Sequence, residues 1–187
     1  YGAHHDIVQF GENCILVTGS CGEVVEDIIY ELNLATGKIE NVLDLKNVLQ
    51  RTRIAPDAHS DLLDSKDWAH LNAIVVQENE DSLILSLRNQ SALVKISWPD
   101  GNIQWISSRP EGYLPMFDKY LLTPIGDEFE YHYKQHAPFI LPDYDDNPDT
   151  IDILLFDNGW GRPVEEDEKE YTRMVHYRID EKNMTIE

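Results

Sequence analysis

The stretch His70-Leu71-Asn72-Ala73-Ile74-Val75-Val76 leads into Leu83-Ile84-Leu85-Ser86 and then Ala92-Leu93-Val94-Lys95-Ile96-Ser97-Trp98. Asp100-Gly101-Asn102-Ile103 then turns the chain into a fourth segment. Each segment has strand length, is rich in apolar and β-branched residues, and is bounded by turn residues. A long 3.6-residue apolar period is absent. The passage predicts a four-stranded sheet headed by a histidine.

Two further passages follow the same plan. The first runs His4-His5-Asp6-Ile7-Val8-Gln9-Phe10, Cys14–Thr18, Asp27–Leu34 and the turn Thr36-Gly37-Lys38-Ile39. The third runs His136-Ala137-Pro138-Phe139-Ile140-Leu141, Ile153–Phe156, Arg173–Asp180 and a turn near Lys182-Asn183. Histidines at 4, 70 and 136 put the interval at 66 residues twice. Four short strands per repeat make a propeller blade. The expected fold is therefore all-β, a β-propeller domain over 1–187. It has about three four-stranded blades, at about 1–45, 68–108 and 134–187. Between them, 43–69 and 107–135 read as long loops rich in charge and proline, with at most a short helical turn at 44–51.

The innermost strand of each blade lines a propeller's central channel. A residue repeated at the start of that strand recurs around the channel mouth, so the histidines are expected to face one another there. Closed propellers have about 4–8 blades. Further blades are therefore expected ahead of Tyr1; the first residues of the chain given do not resemble a signal peptide.

Thirty-five Asp and Glu outweigh 15 Lys and Arg, a formal charge of −20. Such a surface repels phosphate backbones, which argues against a nucleic-acid partner. It makes the few cations informative, since any anion site must be a local basic island. No stretch approaches the roughly 20 apolar residues of a membrane span. Cys14 and Cys21 form no Cys-x-x-Cys pair and read as free, partly buried thiols rather than zinc ligands. Asp143–Asp149 has the composition of a calcium loop but lacks the turn glycine and closing glutamate of an EF-hand, so it reads as a solvated acidic loop. No metal or cofactor is expected.

Several short motifs occur in a fixed order: His4-His5-Asp6, Asp67-Trp68-Ala69-His70-Leu71-Asn72, Ser86-Leu87-Arg88-Asn89, Lys134-Gln135-His136 and Phe156-Asp157-Asn158-Gly159. Their series resembles the bacterial aryl-sulfate sulfotransferases that work without a nucleotide sulfate donor. The resemblance implies a six-bladed propeller of which this chain supplies the C-terminal half, in an extracytoplasmic protein. It implies aryl sulfates and phenols as substrates, with transfer by a ping-pong route through a sulfohistidine. The family's nucleophile falls on His136, and its other catalytic groups on His70 and Arg88. A further histidine falls on His4 or His5; the 66-residue interval and the match of His4-x-Asp6 with His70-x-Asn72 favour His4. His5, Asn72 and Asn158 are then expected substrate contacts. Leu87 and Asn89 depart from the family's usual residues and bear on acceptor choice.

The chemistry is consistent with these roles. A neutral imidazole can attack sulfur and split one hard transfer into two easier ones. Charge on the three equatorial oxygens calls for preorganised donors, and Arg88 offers a planar fork of them. His70 and His4 can donate to the same oxygens or protonate the leaving phenolate. Competing readings are a non-catalytic propeller that binds an anion, an aromatic ligand or a protein at its mouth, and a phosphohistidine enzyme. His59, His132 and His176 read as structural or surface residues, and Tyr131 and Tyr133 as an aromatic wall. The oligomeric state stays open.

Overall fold

The computed structural model describes residues 2–22, 24–57, 66–77, 81–167 and 169–187, without the side chains of 24–26. Its strands fall into three sheets. The first sheet holds β1 (Gly2–Phe10), β2 (Cys14–Cys21), β3 (Val24–Asn33) and β4 (Lys38–Asp44) as an antiparallel meander. The second holds β5 (Leu71–Gln77), β6 (Ser82–Leu87), β7 (Ala92–Ser97) and β8 (Ile103–Ser107) in the same order. In the third, β9 (Thr123–Pro124) returns beside the last of β10 (His136–Ile140), β11 (Thr150–Asp157), β12 (Arg173–Asp180) and β13 (Thr185–Ile186). These are propeller blades. The fourth strand of the third blade is only two residues long, and β9 pairs with it in parallel. Among the described residues, helical structure is limited to 3-10 turns such as Leu45–Asn47, Arg88–Gln90 and Pro115–Tyr120.

The middle blade explains why its sequence is a continuous apolar run rather than an alternating one. All six residues of β6 are buried. Leu83, Leu85 and Leu87 pack with Leu16, Ile29 and Leu45 in one core cluster. Ile84, from the opposite face, packs with Ile153, Leu155 and Ile179 in another. A strand covered on both faces has no solvent side to be polar. Truncating one such leucine to alanine costs about 2–5 kcal/mol. The outer blades alternate instead, as in β11, where Leu155 and Asp157 are buried while Phe156 is exposed. Ile7, Leu34, Ile39 and Val42 on the first blade are also exposed, as are Phe139 and Met174 on the third.

Polar contacts repeat from blade to blade. Asp6 Oδ2 accepts from the Ile74 backbone N–H at 2.7 Å, joining β1 to β5. Asn72, 66 positions later, donates its amide to the Gln135 carbonyl at 2.8 Å, joining β5 to the approach to β10. Residues 66 positions apart thus each reach across a junction to the following blade, Asp6 accepting and Asn72 donating. Behind it, the buried Lys95 ammonium meets both Glu181 oxygens at 2.7 and 2.9 Å, and Trp105 donates to the same carboxylate. A buried ammonium needs such a partner, since an unpaired charge there costs several kcal/mol.

Candidate active site

His70 sits on the turn into β5 with a left-handed backbone, φ +55°. For a non-glycine residue that conformation costs about 1–3 kcal/mol and must be held by its surroundings. The Arg88 N–H donates to the His70 carbonyl at 3.1 Å and the Asn89 N–H to the Ala69 carbonyl at 2.9 Å. Asp27 Oδ2 accepts from the Ala69 N–H at 3.4 Å. Burial pushes the Asp27 carboxyl up to about 8; the amides of Ala69, Leu71 and His70 oppose the shift, and the Asp67 charge adds to it. So held, His70 turns Nδ1 to Asp67 Oδ2 at 2.7 Å and Nε2 to His5 Nε2 at 2.9 Å.

His5 reaches that position through an irregularity in β1. The pairing with β2 shifts between Ala3 and Ile7, and His5 takes φ +52°. Thr18 Oγ1 clamps the bulge, donating to the His4 carbonyl and accepting from the Asp6 N–H at 3.0 Å. A bulge re-aims one side chain of a strand. Here His5 faces His70, and the His4 ring stands edge-on to His5 with centroids 4.4 Å apart. The two facing rings are thus 65 residues apart rather than 66.

His136 opens β10 beside a similar irregularity, with the register shifting before Phe139 and Ala137 at φ +46°. The middle blade grips its approach: Ser91 Oγ accepts from the Lys134 N–H at 3.0 Å, and Gln135 donates to Ser86 Oγ and the Ala92 carbonyl. The Asn158 amide nitrogen lies 2.7 Å from His136 Nδ1 and donates to the Lys134 carbonyl at 2.5 Å. Burial lowers the His136 pKa first and Arg88 lowers it next. The Lys134 carbonyl opposes this, while His70 and His5 lower it further. All four groups therefore share one electrostatic neighbourhood, in which His136 is held toward its neutral form.

Arg88 follows β6 directly. Its guanidinium donates to Asn89 Oδ1 at 3.0 Å and lies over the Trp160 ring, 5.2 Å from the centroid. The Asn89 amide nitrogen donates in turn to the Asp67 carbonyl at 2.8 Å and approaches Asp67 Oδ2 at 3.4 Å. Asp67 and Asn89 thus tie His70 and Arg88 into one frame. The sequence does not mark Asp67 as a site residue, although a carboxylate three positions before His70 is a usable signal; it marks Asn89 only as a departure bearing on acceptor choice. Asn72 and Asn158 spend their amides on the protein itself, at the Gln135 carbonyl and at His136 with the Lys134 carbonyl.

Other sequence candidates lie elsewhere. Tyr131 and Tyr133 line a cavity of about 480 Å³ with Phe129, Arg162 and Tyr171. His176 is exposed and pairs with Asp152. His132 is buried against Tyr177. His59 lies outside the described residues. Cys14 and Cys21 are free at opposite ends of β2. Cys14, Glu31 and Glu40 cluster; Glu31 is bonded by Asn41 and Trp98 and Glu40 by Asn33, and burial together with both carboxylates pushes the thiol up. In the acidic loop, Asp143 Oδ1 accepts from the N–H groups of Asp145 and Asp146, as a self-capped turn does.

The sequence model of the family described as Arylsulfotransferase (ASST) matches residues 1–187. The chain is 30% identical to the arylsulfate sulfotransferase AssT of Lelliottia amnigena, over 78% of this chain and 27% of that protein. It is 31% identical to the arylsulfate sulfotransferase AssT of Escherichia coli O6:H1, with the same coverage. The chain thus spans about a quarter of the length of these curated relatives.

Proposed function

From the premise that the chain belongs to the arylsulfotransferase family, we propose that its protein moves a sulfuryl group from an aryl sulfate to a phenol through a sulfohistidine at His136. The observation that supports this reading is geometric: Asn72 ties the residue before His136 to the strand headed by His70, His70 meets His5 at 2.9 Å, and the charges of Arg88, His70 and His5 add to burial in lowering the His136 pKa. Attack by Nε2 requires the ring proton on Nδ1, where the Lys134 carbonyl is the acceptor; the Asn158 amide nitrogen, a donor, then serves that carbonyl rather than Nδ1. In the first half-reaction Nε2 attacks sulfur, the S–O bond to the aryl group breaks, and its electron pair leaves on the phenolate. Arg88 stabilises the charge on the equatorial oxygens as a preorganised donor. In the second, the acceptor phenol attacks the same sulfur and the N–S electrons return to His136. Splitting the transfer this way needs no ternary complex. Aryl sulfates and phenols are the proposed substrates, and an extracytoplasmic location goes with them.

The test uses the full-length protein with 4-nitrophenyl sulfate as donor. Phenol should accelerate nitrophenolate release with parallel double-reciprocal lines, and 4-nitrophenyl phosphate should not be turned over. His136→Ala should abolish transfer and keep the wild-type unfolding transition. Preference for the phosphate ester, or substantial turnover by His136→Ala, overturns the reading. A propeller that only binds its ligand would turn over neither ester.

A further inference from the structure

We infer that Asp67 is a positioning residue that directs the transferable proton of the site onto the facing nitrogens of His5 and His70, where the phenol oxygen leaves and enters. The inference rests on the sulfotransferase reading and names a group that reading does not use. A contact of 2.9 Å between two imidazole nitrogens is a hydrogen bond only if one of them carries a proton and the other a lone pair. Asp67 Oδ2, at 2.7 Å from His70 Nδ1, accepts a hydrogen bond from Nδ1–H and so fixes the ring's tautomer. The neutral His70 then has its lone pair on Nε2, aimed at His5. Its protonated form has N–H groups on both sides, one bonded to Asp67 and one directed at His5. In either state the mobile proton lies between His5 and His70, away from the Asp67 side.

Two contacts hold the carboxylate in that role. Asn89 donates to the Asp67 backbone carbonyl and approaches Oδ2 while its own Oδ1 accepts from Arg88. The carboxylate that orients His70 and the guanidinium proposed for the sulfuryl oxygens are therefore set by the same asparagine. As the S–O bond breaks, the phenolate takes a proton from the His5–His70 pair. When the acceptor phenol attacks, its proton returns to the pair. Atoms and charge balance over the cycle, and Asp67 is unchanged.

The readout is the dependence on leaving group. Asp67→Asn in the full-length protein keeps the size of the side chain but removes the obligate acceptor. Transfer from phenyl sulfate, whose leaving group needs a proton, should fall by about 100-fold or more, while 4-nitrophenyl sulfate, with its stable phenolate, should change by less than about fivefold. An equal loss on both donors overturns the inference and makes Asp67 a structural residue. In the folded wild type, imidazole ¹⁵N shifts assigned to His70 by comparison with His70→Asn should report a protonated Nδ1. An unprotonated Nδ1 overturns the inference even if Asp67→Asn does not fold. Failure of wild-type protein to turn over either aryl sulfate instead counts against the sulfotransferase reading, which separates the two failures.

Discussion

His5 and His70 meet at 2.9 Å through their Nε2 atoms, although they belong to different blades and stand 65 residues apart in the chain. Both residues have positive φ, His70 just before β5 and His5 at the bulge near the start of β1. Propeller symmetry brings the strand starts together, and the local strain aims the rings.

Arg88 should be sensitive to a substitution that keeps its charge. Its guanidinium is fixed on one edge by Asn89 and on one face by Trp160. Arg88→Lys keeps a cation but loses the planar fork. Steady-state kinetics with 4-nitrophenyl sulfate should give a kcat/KM lower by about 100-fold, the usual loss for one preorganised donor. Unchanged kinetics would make Arg88 a surface cation.

The junction between the first two blades should depend on one carboxylate. Asp6→Ala leaves the Ile74 N–H, on a buried residue, without its acceptor. Denaturant unfolding should show a loss of about 1–3 kcal/mol, the cost of an unmade buried hydrogen bond. Asp6→Asn, which retains an acceptor oxygen, should recover most of it.

His132 should set an acid limit on stability. Burial lowers its pKa to about 4, against the opposing charges of Asp157 and Asp57. Neither ring nitrogen has a hydrogen-bond partner among the described residues. Because the folded value lies below the unfolded one, only the unfolded chain takes up the proton as pH falls from about 6.5 to 4. Stability is lost over that window, by on the order of a few kcal/mol. His132→Leu should flatten that part of the melting-temperature profile, and an unchanged slope would assign the loss to other groups.

Asp27 should act with the opposite sign. Its folded pKa is raised to about 8, so the stability it contributes is complete below about 4 and is lost as pH rises toward 8. Asp27→Asn can still accept the Ala69 N–H without having to ionise. The variant's melting temperature should therefore approach or exceed wild type near pH 8 and fall behind it near pH 4. A uniform loss at both pH values would contradict this assignment.

The blade plan was legible because it rests on periodicity. Four short segments, a turn and a 66-residue interval are all one-dimensional, and Asp6 and Asn72, 66 positions apart, each bond to the backbone of the following blade. The choice between His4 and His5 was not legible, because adjacent strand residues point to opposite faces and a bulge decides which one is re-aimed. The bulge itself depends on Thr18, a residue on the neighbouring strand. The framing roles of Asp67 and Asn89 were hidden for a related reason, although Asn89 reads as bearing on acceptor choice. Their importance comes from joining His70 to Arg88, a relation that exists only after β6 has folded back on β5. Buried pairs such as Lys134 with Asp57 escape sequence reading as well, since charged residues are expected at the surface.

The most direct test is covalent. Full-length protein is incubated with an aryl sulfate and no acceptor, digested under mildly basic conditions, and analysed by peptide mass spectrometry. The account predicts the added mass of one sulfuryl group on the peptide bearing His136, removed when phenol is supplied. Phenol-dependent turnover with His136 unmodified throughout, or a sulfuryl group carried on His5 or His70 instead, would contradict it.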